Sequence, residues 1–543
     1  MLSTEPQMSG IGRAPCGERV TNPRVDVLKL LAFALCALLA AAPAGAQDAR
    51  KWAEALATYQ KFANGKEGYE RARAIEDLGN ATSPKWDRTA WQLSLDMLRK
   101  EIQKEGQGGK TEERVSGEVL DACVGTFKKV TNKDVLAEMT RAARAKGESV
   151  RLRIHVLWGL GPKGEVKDLL DLLEDPSTPV QIAAADALAE RADAAAADAF
   201  IKVLQSDKRS WEVKLASLQG LEKVGKEEHV DLLIESLGKV RGEEGRLKEQ
   251  YLKTLKKITA VDLESDDPNL WKSAWAAKKS GGEVPPGATI ADPTEFYGLK
   301  TRSTRIVFIL DRTGSMQAPA SEPARTTVFK LPPEAAGGDK EPPHETQARE
   351  EATKIKKKWE AAKPGTRMDV ARKELILTVW VLHPKVHFNV IWYEGNPHPW
   401  KQELLPATWL NKLDCLKETD RLVASGPTNI WDAVETAFKM TELPQRPDVI
   451  QLDRKANYAM AVGGSDTFFL MTDGQPNTGR IVKPEDILSE IRKVNRLRRV
   501  TVHTICMGDL LPGVPTDSQD NPDPKFLKKI ADENGGEFVH LKK

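Results

Sequence analysis

The sequence has few cysteines, few aromatic residues, no excess of charge of either sign and no long hydrophobic run. Five cysteines among 543 residues exclude a small scaffold built on disulfides. The 81 Lys and Arg residues almost balance the 79 Asp and Glu residues, which argues against a dedicated nucleic-acid-binding protein. A mean hydropathy of −0.45 excludes a protein with many membrane spans. The 40% of hydrophobic residues is typical of globular protein, and the length predicts about three structural units.

A short apolar run near the N-terminus has the features of a secretory signal. Residues 30–42 carry no charge, yet the run is shorter than the roughly 20 residues that a membrane-spanning helix needs. Arg24 and Lys29 precede it, and the small residues 44–46 follow it. This arrangement predicts a signal peptide over residues 1–46 and export to the periplasm, the cell surface or the medium. No membrane span would remain after cleavage; an uncleaved anchor is the alternative.

Residues 48–280 show an internal repeat of helical pairs. Residues 180–188 align with 213–221, and Leu204 aligns with Leu237 at the same spacing. The apolar positions of each copy fall on one helix face, and stacked pairs would bury that face in an α-solenoid. The pattern resembles HEAT-type repeats. Such an array either offers a concave surface to a protein partner or acts as a spacer that presents the next domain.

The predicted linker 281–299, rich in Gly and Pro, leads to a domain over 300–543 in which strands and helices alternate. This alternation predicts a doubly wound, Rossmann-like α/β fold with a parallel sheet. The predicted strands are 305–310, 386–391, 467–471 and 500–505, and the predicted helices are 368–382, 430–440, 484–497 and 524–534.

Three loops at the expected carboxyl ends of these strands hold a set of oxygen donors. The first loop contains Asp311, Thr313 and Ser315, the second contains Thr428 and the third contains Asp473. In a doubly wound sheet such loops converge beside the switch point of the strand order. Two carboxylates and three hydroxyls are hard ligands that suit Mg²⁺, and the absence of His and Cys from the set argues against Zn²⁺ or Cu²⁺.

The three motifs resemble the metal-ion-dependent adhesion site (MIDAS) of von Willebrand factor A domains. The usual first motif of that family is Asp-x-Ser-x-Ser, and here Thr313 keeps the hydroxyl of the first Ser. The resemblance implies that Thr313, Ser315 and Thr428 are direct ligands of Mg²⁺, or of Mn²⁺ or Ca²⁺. It implies that Asp311 and Asp473 act through water, and that a protein ligand offers a carboxylate to the metal. This mechanism is binding, with no bond broken.

Other interpretations of the same residues remain open. Taken singly, Thr428 is also typical of a helix cap, Asp473 of a turn and Asp311 of a strand end. A second function class is a metal-dependent hydrolase with Asp311 as the nucleophile, although Thr313 stands where the second Asp of such enzymes is expected. A third is a structural scaffold whose site no longer binds metal.

Two further segments lead to predictions. An insertion over 317–366 follows the first loop; its proline-rich first half is predicted to be extended or disordered and its charged second half, 345–363, to be helical. The insertion either shields or tunes the site, or is a tolerated surface addition. The cationic run Arg492, Lys493, Arg496, Arg498 and Arg499 is predicted to be a solvated helix face, and residues 517–523 a solvated turn.

Overall fold

The computed structural model describes residues 44–104, 115–240, 244–283, 294–320, 341–440, 464–509 and 521–542. Nearly all of the predicted signal peptide lies outside these residues. So do most of the predicted linker, the proline-rich half of the insertion and most of the turn at 517–523.

Thirteen helices make up the N-terminal half of the described chain. They are α1 Ala44–Phe62, α2 Gly68–Ala81, α3 Asp87–Gln103, α4 Gly117–Lys129, α5 Lys133–Arg144, α6 Val150–Leu160, α7 Val166–Leu173, α8 Thr178–Arg191, α9 Ala194–Gln205, α10 Trp211–Val224, α11 Val230–Leu237, α12 Gly245–Thr259 and α13 Pro268–Ser280. In the part of the chain that the structure describes, no helix combines the length and the apolar character that crossing a membrane requires.

The helices stack in two layers, as expected for an α-solenoid. Helices α2, α4, α6, α8, α10 and α12 pack side by side in one layer, and each also packs against a neighbour from the other layer. The predicted repeat face is buried: Val180, Ala184 and Leu188 have no exposed surface. A side chain at Gly220 would collide with the ring of Phe200, so glycine allows α9 and α10 to approach closely.

The C-terminal half contains two small strands and a larger sheet. The strands are β1 Thr294–Phe296, β2 Leu299–Thr301, β3 Arg305–Asp311, β4 His387–Tyr393, β5 Pro397–Pro399, β6 Leu405–Pro406, β7 Thr467–Thr472, β8 Thr501–Met507 and β9 Phe538–Leu541. The large sheet has the order β5-β4-β3-β7-β8-β9, with β6 also paired to β4. Strands β4, β3, β7, β8 and β9 are mutually parallel.

In the described part of this domain, six helices cover the two faces of the sheet, so the predicted doubly wound α/β fold is confirmed. They are α14 Pro343–Ala361, α15 Arg367–Val381, α16 Trp409–Arg421, α17 Ile430–Lys439, α18 Pro484–Arg498 and α19 Pro524–Glu533. Successive residues of β3 alternate between two cores, with Phe308 facing α15 and Ile309 facing α17. Both faces are buried, which explains the uninterrupted apolar run of β3.

Several elements were not predicted from the sequence. Residues assigned to the end of the linker form the β1–β2 hairpin, because Phe296 packs against the rings of Phe308 and Phe469 in the core. The edge strand β9 and the helix α16 carry too short or too polar an apolar pattern to stand out.

The second half of the insertion is helical, as predicted, and belongs to the body of the domain. Helix α14 packs on α15 and α16, and its Ala348, Ala352 and Trp359 are buried. Its Glu345 accepts a hydrogen bond from the backbone N–H of Trp409 at 2.6 Å and so caps α16. The described half of the insertion is therefore a packed helix and not a loose surface addition.

Four of the five cations in the run at the end of α18 contact the solenoid, and the fifth, Arg498, donates to the carbonyl of Phe438 inside the α/β domain. The prediction of a solvated face was wrong. Arg492 donates to Asp121 of α4 at 2.6 Å, and Arg499 pairs with Asp186 of α8. The guanidinium of Arg496 lies 4.0 Å from the ring centroid of Trp158, and burial lowers its pKa. Cationic residues on a helix are predicted to face solvent when no acidic partner is known. Their acidic partners here belong to distant helices, which the sequence pattern does not identify.

A second contact joins the solenoid to the amino end of β3. The backbone N–H of Arg302 donates to Glu249 of α12 at 2.6 Å, and the guanidinium of Arg305 lies 5.5 Å from the ring centroid of Trp211. Strand β3 has seven residues from Arg305, which makes this contact, to Asp311, a length of roughly 20 Å. The solenoid thus holds the α/β domain by α18 and by the end of the sheet opposite to the predicted site.

Candidate metal centre

The five predicted site residues stand at the carboxyl edge of the sheet. Asp311 is the last residue of β3, and Asp473 directly follows β7, its parallel neighbour. Thr313 and Ser315 belong to the loop after β3, and Thr428 lies just before α17. From β3 the chain passes first to β4 on one side and later to β7 on the other, so this edge is the switch point of the sheet.

Asp311 is fully buried and both of its carboxylate oxygens accept hydrogen bonds. Its Oδ1 accepts from the backbone N–H of Thr313 at 2.8 Å. Its Oδ2 accepts from the hydroxyl of Thr472 at 2.6 Å and, more weakly, from the hydroxyl of Tyr393 at 3.4 Å. Thr472 and Tyr393 end the two strands β7 and β4, so the sheet itself fixes the orientation of this carboxylate.

A chain of hydroxyls joins the first loop to the second carboxylate. The hydroxyls of Thr313 and Ser315 lie 2.9 Å apart, and the Ser315 hydroxyl donates to Oδ1 of Asp473 at 2.6 Å. Thr313 is 1% exposed and Asp473 is fully buried. The two motifs that the sequence separates by more than a hundred residues are therefore in direct contact.

The Thr428 hydroxyl faces the same space. A Cβ atom built on Gly474 would lie 3.5 Å from Oγ1 of Thr428 and 4.0 Å from Oγ of Ser315, so both hydroxyls border the gap that glycine leaves open. Thr428 does not cap α17; Asn429 does, by accepting from the backbone N–H of Asp432. The capping role that could have explained Thr428 is thus performed by its neighbour.

Burial raises the pKa of both carboxyl groups. The pKa of Asp311 is raised to about 7, first by desolvation and then by repulsion from Asp473. The pKa of Asp473 is also raised by desolvation, and its hydrogen bonds with Ser315 and Arg367 work against that rise. Two buried carboxylates that repel each other form a place where a cation would be stabilised.

Arg367 is a site residue that the sequence reasoning missed. It begins α15, directly after Thr366, whose side chain and Asp369 form a capping box. Its Nη1 donates to Oδ2 of Asp473 at 2.9 Å, and both side chains are buried. A signal was present, because the helix that follows a strand of such a sheet begins at the carboxyl edge, which places its first turn near the site.

The donor set fits a hard divalent cation held partly by hydroxyls and water. Among the described residues, no three His, Cys, Asp or Glu side chains are grouped to hold a metal. This centre contributes two carboxylates, and its remaining donors are hydroxyls. Mg²⁺ retains several waters and binds through few carboxylates, which matches that composition. All five predicted residues border one location.

The family model for HEAT repeats matches residues 166–253, which confirms the expected resemblance in the solenoid. Heavy chain 4 of the inter-alpha-trypsin inhibitor from Mus musculus is 30% identical over 172 residues, which are 32% of this chain and 16% of that protein. The chain therefore spans about a sixth of the length of this relative.

Two solved structures similar to the chain carry in their descriptions the family or the metal motif that the three loops resemble. A von Willebrand factor type A protein from Catenulispora acidiphila has 18% identity, covers 45% of this chain and 40% of its own, and has a TM-score of 0.25. Proximal thread matrix protein 1 from the mussel byssus, with a zinc-occupied MIDAS motif, is 14% identical. The match covers 56% of this chain and 58% of that protein's chain, with a TM-score of 0.22. In this chain the strand order and the strand-end motifs carry the resemblance to von Willebrand factor A domains.

Proposed function

We propose that the α/β domain binds a divalent metal ion and, through it, a protein ligand. The residues that would hold the ion are Asp311, Thr313, Ser315, Thr428 and Asp473. The proposal depends chiefly on the hydrogen-bonded series from Thr313 through Ser315 to Asp473, beside the Thr428 hydroxyl. A bound Mg²⁺, Mn²⁺ or Ca²⁺ would supply a Lewis-acidic centre to which a ligand carboxylate is attracted.

The residues themselves have separate roles in this mechanism. Thr313, Ser315 and Thr428 offer neutral oxygens, so direct contact with them leaves the positive charge of a cation largely uncompensated. Asp311 and Asp473 supply negative charge from buried positions, and their strand-end hydrogen bonds fix their orientation. The centre would therefore bind a cation and still attract an anionic group from a partner.

The burial and the hydrogen bonds of Asp311 favour binding over catalysis. A nucleophilic carboxylate must reach its substrate, but Asp311 has no exposed surface and both of its oxygens accept hydrogen bonds. The alternative of a phosphoryl-transferring hydrolase would require this carboxylate to be accessible. Loss of the turnover of a generic phosphate ester in Asp311→Ala would support the hydrolase instead.

The solenoid acts in this proposal as the scaffold that presents the metal centre. Among the described residues it contacts α18 and the amino end of β3, and the second of these contacts lies at the opposite end of that strand from Asp311. The proposed setting is outside the cytoplasm, in the periplasm, on the cell surface or in the medium, which follows from the predicted signal peptide. No role in nucleic-acid binding is proposed.

Metal binding is tested by thermal unfolding of the full chain. Addition of Mg²⁺ or Mn²⁺ is expected to raise the midpoint of the α/β domain, because an ion that binds only the folded state stabilises it by mass action. Asp311→Ala and the shape-conserving Thr313→Val are each expected to abolish the increase. Thr436→Val, which removes a hydroxyl bonded within α17, is the matched control and should retain it.

Ligand binding is tested by capture of proteins from the envelope fraction of the source organism. The set bound in the presence of Mg²⁺ should lose members when EDTA is added, and Thr313→Val should lose the same members. An identical set with and without EDTA would contradict metal-dependent adhesion. No midpoint increase in the wild-type chain with either ion would contradict the metal centre itself.

A further inference from the structure

Arg367 places a permanent positive charge inside the candidate metal centre. Its side chain is 3% exposed. One oxygen of Asp473 accepts from the guanidinium of Arg367, and the other accepts from the Ser315 hydroxyl. The guanidinium of an arginine side chain carries a positive charge in proteins.

The backbone at the end of β8 is shaped to admit this side chain. Gly508 has a φ of +83°, and a Cβ atom on it would collide with the guanidinium of Arg367. The position of Gly508 is held by a hydrogen bond from its N–H to the carbonyl of Leu541 in β9 at 2.9 Å. Glycine is thus required at this position both by its conformation and by the space that the arginine occupies.

The other arginine close to the site is engaged elsewhere. Arg312 follows Asp311 but forms its ion pair with Glu394, at 3.4 Å, on the loop after β4. Arg367 is accordingly the cation that contacts a carboxylate of the centre among the described residues. One guanidinium stands against two carboxylates.

We propose that Arg367 is a positioning residue and a built-in counter-charge, which stabilises the metal-free centre and weakens its affinity for divalent cations. This inference depends on the proposed metal binding. The guanidinium holds Asp473 so that Oδ1 stays with Ser315, and its charge repels an incoming cation. A centre of this kind folds without metal and releases metal readily, and when loaded it carries excess positive charge toward an anionic ligand.

The test compares Mn²⁺ binding by wild type and by Arg367→Met, a substitution that removes the charge and retains an unbranched side chain. Titration at pH 8, with free Mn²⁺ measured by electron paramagnetic resonance, should show an affinity on the order of tenfold tighter in the variant. The thermal midpoint in EDTA should fall in the variant, and the increase caused by Mn²⁺ should be larger than in wild type. Arg367→Lys, which retains a positive charge, should bind Mn²⁺ with nearly wild-type affinity and covers the case in which the Met variant does not fold.

Arg372→Met provides the matched control, because Arg372 lies on the same helix and pairs with Asp369 outside the centre. Its Mn²⁺ affinity should equal that of wild type. An Arg367→Met variant that binds Mn²⁺ with unchanged or weaker affinity, beside a wild type that binds, would overturn the role of Arg367 alone. A folded wild type that binds no Mn²⁺ would overturn the metal centre and this inference together.

Discussion

Two pairs of carboxyl groups lie in different surroundings, one inside the α/β domain and the other where the solenoid contacts it. Asp311 and Asp473 meet at the carboxyl edge of the sheet. Glu118 of α4 and Asp486 of α18 meet where the solenoid contacts the domain, and burial together with the hydrogen bond to Asp486 raises the pKa of Glu118 to about 7. Both pairs place like charges together, yet only one resembles a metal centre.

The difference lies in what surrounds each pair. The edge pair is sealed from solvent and is connected by the hydroxyls of Thr313 and Ser315, with Arg367 on one oxygen. The interface pair is partly exposed, has Lys483 as its nearby cation and lies beside Glu490, a third carboxylate. The interface pair is bordered by other charged side chains, whereas the edge pair has the neutral oxygen donors that a cation needs. Carboxylates alone therefore do not define a site; the neighbouring hydroxyls and the degree of burial do.

Removing one member of each pair should have very unequal effects on stability. In EDTA, Asp473→Ala leaves the buried Arg367 without its partner, which is expected to cost about 3–5 kcal/mol. Asp486→Asn removes repulsion at a partly exposed position, and its effect is expected to stay within about 0.5 kcal/mol. Scanning calorimetry, which separates the unfolding of the domain from that of the solenoid, measures both. Equal effects at the two positions would show that the edge pair is no more tightly integrated than the interface pair.

The same contrast explains what the sequence alone predicted. Asp311, Thr428 and Asp473 could be assigned because each directly follows a recognisable strand or precedes a recognisable helix, and strand ends of a parallel sheet converge. Arg367 directly precedes the predicted helix 368–382, so its nearness to the carboxyl edge could have been inferred, but its pairing with Asp473 is a tertiary contact that no local pattern contains. The prediction that the cations of α18 face solvent was wrong for the same reason, because Asp121, the partner of Arg492, belongs to the solenoid. Local periodicity predicts the helices and strands and where they end. It does not predict which acidic side chain pairs with which basic side chain from a distant part of the chain.

The pH dependence of stability should separate the two pairs by their response to metal. A carboxyl group whose pKa is raised in the folded state binds more protons there, so its contribution to stability is lost as pH rises through the window between the two pKa values. For Asp311 this window runs from about 3.8 to about 7, and the loss in EDTA is on the order of 2–4 kcal/mol. For Glu118 it runs from about 4.5 to about 7, with a loss below about 1 kcal/mol because the group is partly exposed.

Mg²⁺ competes with protons only where it binds, so its stabilising effect should grow between pH 5 and pH 8. Asp311→Asn should remove that growth, and Glu118→Gln should leave it unchanged. Thermal midpoints of each variant are compared with wild type at the same pH, since His155, whose pKa burial lowers to about 3, destabilises the fold in acid in every variant. If Glu118→Gln also removed the response to Mg²⁺, the distinction between the two pairs would be wrong.

The substitution with the smallest expected effect on stability, Gly474→Ala, fills space at the candidate metal centre without changing its charge. In Gly474→Ala the new methyl group lies at ordinary contact distances, 3.5 Å from the Thr428 hydroxyl and 4.0 Å from that of Ser315, so the midpoint in EDTA should shift by less than the equivalent of about 0.5 kcal/mol. It nevertheless fills the gap that both hydroxyls border, and the increase caused by Mg²⁺ should disappear. Gly314→Ala is the matched control, because its Cβ would meet only the carbonyl of Gly426 at 3.7 Å. Retention of the full Mg²⁺ response in Gly474→Ala would mean that a cation does not occupy the space between these hydroxyls, even though both carboxylates remain.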